Sequence, residues 1–306
     1  MALRSPVWST GLFFGNDPLR GPEWRAPSSS ADILLNAHGL KLQSDAVHTH
    51  ADPFLFVEEG SDRCFLFVEE QRRRQPGRIM VYDVGAERKL TLLGPVTGLP
   101  AGHLSYPFVF AAEGEIYMLP ETGSSGHGSG DGEIALYRFT DFPRRLEKAA
   151  TLLEGAYADS SILELAGTYF LFTFRDDEGL LFTAPELTGP YRPHPASPFS
   201  RDAGSARCGG ALIAPTTARP FFVRPAQDCR ASYGGDLRLM KVMSITADDY
   251  VESVWADKCM TGSQPWAATG SHHLSQCCWR GEVITAVDGR RDDHLLNRAI
   301  SMVLPS

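Results

Sequence analysis

HADPFLFVEEGSDRCFLFVEE, residues 50–70, decides the fold. A polar head with His50 and Asp52 leads into an apolar run; Gly60 and Ser61 mark a turn; a second apolar run ends in Glu69 and Glu70. Both runs are too short for a stable helix and are bounded by turn-forming residues, so the stretch reads as a β-hairpin. The same plan returns in LSYPFVFAAEGEIYMLPE (104–121), YADSSILELAGTYFLFTF (157–174), SARCGGALIAPTTARPFFVRPAQD (205–228) and SHHLSQCCWRGEVITAVDG (271–289). Alignment sets Asp52, Tyr106, Asp159, Arg207 and His273 at one equivalent position, with a period of roughly 50 residues.

Hairpins repeating at that interval are the sequence signature of a β-propeller, in which each blade buries its faces only against its neighbours. The repeats predict an all-β, five-bladed β-propeller that occupies residues 1–306 as one domain, its blades starting near 50, 104, 157, 205 and 271. Runs such as GRIMVYDV, EIALYRF, GLLFTAP and DLRLMKVMSI supply further strands. The last repeat has one more strand, near LLNRAISMVL. Residues 6–15, containing VWSTGLFF, are therefore expected to complete the last blade as its outer strand, closing the ring and removing free sheet edges. Two unrelated β-sandwiches are the competing arrangement, but they leave the repeat unexplained.

Composition narrows the function. Of 306 residues, 43% are hydrophobic and 22% charged, enough to build a core and too apolar for a disordered chain. A formal charge of −8 gives no general attraction to a phosphate backbone, so no nucleic-acid partner is expected. No run approaches the ~20 apolar residues of a membrane span, and the N-terminal stretch lacks a signal-peptide core, so the expected location is cytoplasmic. Six cysteines show neither CxxC nor zinc-ligand spacing and read as reduced, mostly buried thiols. No cofactor is expected: HExxH, GxSxG and dinucleotide fingerprints are missing, and the glycine-rich ETGSSGHGSGDGE (121–133) is not followed by GK[ST]. That stretch reads as a solvated hairpin loop, or as a flap carrying His127 over the site. No metal is expected either, because adjacent His272 and His273 on a strand would point to opposite faces, so that at most one reaches the axis.

In a propeller the starts of the first strands and the ends of the second strands meet at one mouth of the axis. The first set is His50, Asp52, Tyr106, Asp159, Arg207 and His273; the second is Glu69, Glu70, Glu121, Asp176, Gln227, Asp228 and Asp288. Crowded carboxyls push one another's pKa values apart, which lets one act as acid and another as base or nucleophile, as glycoside hydrolysis requires. Asp at a strand start is also an ordinary turn residue, and only the repetition argues for more. Loops over the same mouth carry Arg72, Arg73, Arg74, Arg175, Arg224, Arg230, Arg290 and Arg291. With Arg207 they suit an anionic ligand, unless neighbouring carboxylates engage them.

HADPFLF, HLSYPFVF with YMLPE, LLEGAYADSSIL, SARCGG and RPAQDCRASYGGDLRL resemble the N-terminal domain associated with plant glucosamine inositolphosphorylceramide transferases and its stand-alone bacterial relatives. The resemblance runs from about residue 40 to about 290, with RPAQDC…YGG its most specific piece. It implies a propeller similar to those of arabinanases, β-xylosidases, invertases and levansucrases. Those enzymes use an Asp on blade one, an Asp on blade two and a Glu on blade three. Asp52 matches the first, Tyr106 stands at the second and Asp159 near the third, so two of the three roles differ. The plant proteins carry a separate glycosyltransferase domain, for which these 306 residues have no room.

The expected function is that of a carbohydrate-active enzyme acting on a glycan or a glycosylated or anionic small molecule at the axial pocket. Its catalytic candidates are Asp52 as base or nucleophile, Glu121 or Asp159 as acid, and Tyr106. His50, Glu70, Arg207, Gln227, Asp228, Tyr233 and His273 are the substrate-binding candidates. Two alternatives stand beside it: a non-catalytic propeller that binds a glycan or anionic headgroup, and a propeller recruited to a cyclisation or isomerisation.

Overall fold

A computed structural model describes residues 4–15, 19, 30–37, 47–72, 75–123 and 132–294. Near the N-terminus lie β1 (Arg4–Phe14) and β2 (Ile33–Leu35). The first repeat forms β3 (Val47–Val57), β4 (Cys64–Arg72), β5 (Arg78–Gly85) and β6 (Lys89–Pro95). The second forms β7 (His103–Ala112), β8 (Glu115–Gly123), β9 (Glu133–Asp141) and β10 (Arg145–Glu154). The third forms β11 (Ala158–Leu165), β12 (Thr168–Arg175), β13 (Glu178–Ala184) and β14 (Arg192–Pro193). The fourth forms β15 (Val223–Asp228), β16 (Asp236–Ile245) and β17 (Tyr250–Ala256), and the last β18 (Leu274–Trp279) and β19 (Glu282–His294). Among the described residues the only helical turn is a short 3₁₀ segment, Pro265–Ala267. No described helix is long and apolar enough to cross a membrane.

Each repeat folds as an antiparallel meander, as its alternation of apolar runs and turns requires. The second strand is the inner pillar. Cys64 through Glu70 of β4 are buried at every position, whereas β6 and β17 on the outside are largely exposed. A strand buried on both faces must serve two neighbours, and β4 divides them by period two. Phe65 and Phe67 pack on Phe139 and Phe142 of the second repeat, while Leu66 and Val68 join Leu12, Ile284 and Ala286 from the chain's two ends. Each such side chain, removed from water, contributes roughly 1.5–3 kcal/mol, so the repeats stabilise one another through these interleaved rows.

The N-terminal strand is paired to the last repeat along its whole length, from Arg4 opposite His294 to Phe14 opposite Ile284. It is the third strand of that group rather than the outermost, because β2 pairs on its far side at Thr10–Leu12. One parallel bridge, Trp8 to Thr49, links β1 to β3 and hence the last repeat to the first. The further strand expected near 295–304 lies outside the described residues, as do His127, Arg73 and Arg74.

Candidate active site

Three of the five aligned positions share an unusual backbone. Asp52, Tyr106 and Asp159 have φ of 50°, 46° and 50°, a left-handed conformation that costs a non-glycine residue about 1–2 kcal/mol. Each lies in a β-bulge, where the pairing slips between Ala51 and Phe54, between Ser105 and Phe108, and between Ala158 and Ser161. A bulge leaves an amide without a ladder partner, and here a carboxylate answers each one. Asp52 N–H donates to Asp288 Oδ2 (3.2 Å), Tyr106 N–H to Asp52 Oδ2 (3.1 Å) and Asp159 N–H to Glu121 Oε2 (3.2 Å). The repeated strain is thus tied to a chain of carboxylates that runs from repeat to repeat.

Arg207 and His273 arrive differently, on segments outside the strands. SARCGG packs against the start of β18, where a Cβ on Gly210, at φ of 135°, would sit 2.2 Å from the Leu274 carbonyl oxygen. Arg207 Nε hydrogen-bonds Asp159 Oδ2, which also accepts from Gln227 Nε2 at 2.8 Å. The Arg207 guanidinium lies 5.0 Å over the Tyr233 ring. That ring is half exposed, and its backbone carbonyl is held by Arg290 Nη1 at 2.7 Å.

Asp288 is the hub of the opposite side. Its Oδ1 accepts the backbone N–H of His272 (2.8 Å) and His273 (3.0 Å), and its Oδ2 lies 2.5 Å from His272 Nδ1. Both histidines reach Asp52: His272 Nε2 is 3.8 Å and His273 Nδ1 3.7 Å from Asp52 Oδ1. This corrects the expectation that at most one would reach the axis. Strand alternation does not govern them, since β18 begins only at Leu274. Trp8, brought in by β1, stacks on His272 with centroids 4.2 Å apart. Gly234 lets Trp8 close in, because a Cβ there would meet the indole at 2.7 Å.

Burial without enough cations sets the electrostatics. Asp52, Glu69, Glu121, Asp159 and Asp288 share a region where, among the described residues, the groups that oppose their charge are Arg207 and His272. Burial raises Asp52 to about 7, opposed by His272 and reinforced by Asp159 and Asp288. Burial likewise raises Glu121 to about 7, aided by Asp159 and Asp52 and opposed by Arg207. Glu69 is pushed well above the usual range by burial and by the charges of Asp52, Glu121, Asp288 and Asp159. Burial would raise Asp288 too, but the charge and hydrogen bonding of His272 hold it below the usual value. Burial opposes the charge on His272, yet Asp288 wins and raises it; His273 is driven down to about 3 by burial. Near neutral pH this cluster holds proton donors and proton acceptors together.

Residues 4–290 match the family described as glucosamine inositolphosphorylceramide transferase 1, N-terminal. The chain belongs to this family. Its similarity to the glucosamine inositolphosphorylceramide transferases 1 of rice (Oryza sativa subsp. japonica) and Arabidopsis thaliana is 29% and 27% identity, in each case over 93% of this chain. The match spans only 40% and 39% of those proteins. Among solved structures it is similar to a thermostable family-43 glycoside hydrolase (TM-score 0.54, 14% identity, 79% of this chain and 89% of that one). It is also similar to the sialidase Hz136 from a Hadza microbial source (TM-score 0.53, 10% identity, 97% and 66%) and to an α-L-arabinofuranosidase from Lactobacillus brevis (0.51, 11%, 76% and 80%). These likenesses show the fold, an all-β propeller of the glycosidase type.

The remaining predicted residues divide. Glu70 and His50 lie beside the axial cluster. Glu70 is 2.5 Å from Arg78 and 3.5 Å from His50, and despite burial the His50 and Arg78 contacts lower it to about 2. Asp228 pairs with Arg230 at 2.6 Å, and Asp176 is an exposed turn residue paired with Arg175. Of the arginines expected at the mouth, Arg72 goes to Glu70, Arg224 to Glu252 and Arg291 to Asn36 and the Ala37 carbonyl. Arg207 is the one that touches the axial carboxylates among the described residues, which leaves little free guanidinium for an anion. Glu69 and Asp288, which strand arithmetic put at the mouth without a role, are central members.

Asp52, His272 and Asp288 offer three potential metal ligands within 4.8 Å of one another. The Asp288 oxygens already accept three backbone N–H groups and face the His272 ring, so a cation held there would share Asp288 with these partners.

The raised carboxyls make stability depend on pH with a definite sign. For Asp52 and Glu121 the folded values lie above the unfolded ones, so their contribution is complete below about pH 4 and is lost as pH rises through about 7. Asp52→Asn, which keeps an acceptor for Tyr106 N–H, should match the native protein near pH 4 and exceed its stability by a few kcal/mol at pH 8. Thermal melts across that range check this; a gap that does not change with pH counts against it.

Proposed function

We propose that this chain is a single five-bladed propeller, closed by β1, which acts on a glycan or glycosylated small molecule at the axial mouth. The observation that carries the reading is the buried carboxyl cluster, with Asp52 and Glu121 both raised to about 7. Both groups titrate near neutral pH, so that one member can donate while the other accepts. An excess of carboxyls over cations also suits a reaction whose transition state is oxocarbenium-like.

In this reading Asp52 is the base or nucleophile and Glu121 the acid. Asp159 is not the acid, because its Oδ2 accepts from both Arg207 and Gln227. Tyr106, Tyr233, His273, Arg207 and Gln227 position the sugar. The name of the plant relatives points to a sugar bearing an amine and to an inositol phosphate lipid. An ammonium group matches the acidic axis, whereas Arg207 is the one guanidinium that a phosphate would find there among the described residues.

The test is turnover of a panel of aryl glycosides, including glucosaminides, and of glycosylated inositol phosphates, with products identified by mass spectrometry. Asp52→Asn and Glu121→Gln should each lower turnover of the accepted class about 10²–10⁴-fold while leaving binding intact. One observation favours a binding module instead: Asp52, Glu121 and Asp288 each cap a bulge amide, a structural duty that needs no chemistry. Under that reading the native chain binds a member of the panel and converts none.

A further inference from the structure

We propose that Cys64 and Cys277 are an oxidisable pair, forming a disulfide that locks the first repeat to the last in the presence of a disulfide oxidant such as oxidised glutathione. The two Sγ atoms lie 4.0 Å apart although the residues are separated by 213 positions. They sit in a seam built by one face of β18. Ser275, Cys277 and Trp279 alternate along that strand and so point the same way. Ser275 Oγ accepts Leu55 N–H at 3.0 Å, and Trp279 Nε1 donates to the Asp62 carbonyl at 3.3 Å. Arg280, in the next turn, pairs with the Asp62 carboxylate. Contacts on either side of the thiols therefore hold the hairpin β3–β4 against β18 and keep the sulfurs together.

The two thiols differ in access. Cys64 is fully buried, and its hydrogen bond with Cys277 and its burial push its thiol up, so it stays protonated. Cys277 is half-buried and meets the oxidant first. Its thiolate attacks one sulfur of oxidised glutathione and expels a glutathione thiolate. As Cys64 attacks the Cys277 sulfur, its proton passes to the departing glutathione sulfur, and the second glutathione leaves as a thiol. Two protein thiols are oxidised and one glutathione disulfide is reduced. Cys278, exposed on the other face of β18, takes no part.

The cross-link closes a very long loop, the case in which constraint of the unfolded chain is greatest. It also fixes the strand that begins directly after His272 and His273, and so steadies both against Asp52. The full chain, equilibrated in mixtures of reduced and oxidised glutathione, alkylated and digested without reductant, should yield a peptide pair joined through Cys64 and Cys277. Linkage should raise Tm by about 5 °C or more, and dithiothreitol should reverse both. Cys278→Ser should retain the link; Cys277→Ser, or Cys64→Val if that variant folds poorly, should lose it. Recovery of Cys277 as a glutathione adduct or joined to Cys278, with Cys64 free, overturns the proposal, as does a link that leaves Tm unchanged.

Discussion

Replacing Asp288 with alanine should destabilise the fold by about 3–5 kcal/mol, the largest loss expected from one substitution at the mouth. The carboxylate is fully buried, accepts backbone N–H groups from Asp52, His272 and His273, and lies against the His272 ring. Alanine leaves three buried amide donors without their carboxylate, each costing about 1–3 kcal/mol before relaxation. It also removes the charge that raises His272. Asp288→Asn should cost less: its oxygen can still accept from His272 and His273, while its NH₂ turns toward Asp52 N–H and repels it. The folded value of Asp288 is depressed, so its contribution is present above about pH 4 and is lost as pH falls through the folded value. The gap between the native protein and Asp288→Asn should therefore shrink in acid. Urea unfolding at neutral and acid pH measures both effects, and an Asp288→Ala variant within 1 kcal/mol of the native protein would falsify the hub assignment.

The repeat was readable because hairpins obey local rules. Apolar runs, turn residues and their interval are all short-range signals, and the positions they aligned in β3, β7 and β11 are the ones that lie in bulges. The exchange of roles within the mouth was not readable, for reasons of parity and reach. Glu69 and Glu70 are adjacent, so alternation grants the axis one of them without naming it. Phe65, Phe67 and Glu69 face the second repeat, and this puts Glu69 among the axial carboxyls and leaves Glu70 to Arg72 and Arg78. His272 and His273 escaped the alternation rule because they precede the strand. The arginines were least legible. Each has a long side chain, and partners such as Asp159 for Arg207 and Glu252 for Arg224 come from 48 and 28 residues away. A local count of positive charge therefore overstated what the mouth offers an anion.

Arg224 shows how such a partner controls the site from behind it. The guanidinium is fully buried, binds Glu252 through Nε at 2.8 Å and Nη2 at 2.6 Å, and lies 4.7 Å over the Phe199 ring. Nη2 also donates to the Ser205 carbonyl at 2.7 Å, two residues before Arg207. Arg224→Met should cost about 3–5 kcal/mol, because the Glu252 side chain stays buried without its counter-charge. Adding Glu252→Leu should return much of that loss, since an apolar pair of similar volume replaces a buried ion pair at little cost. The return will be incomplete: the Tyr250 hydroxyl, which donates to Glu252 at 2.6 Å, and the Ser205 carbonyl both lose partners. A double-mutant cycle in urea reads the coupling, and strictly additive losses would show that the pair is not what holds this segment. With stability recovered but Ser205 released, Arg207 no longer has a fixed backbone from which to reach Asp159. The double variant should therefore fold well and yet bind or turn over its ligand poorly, which separates support of the mouth from support of the fold.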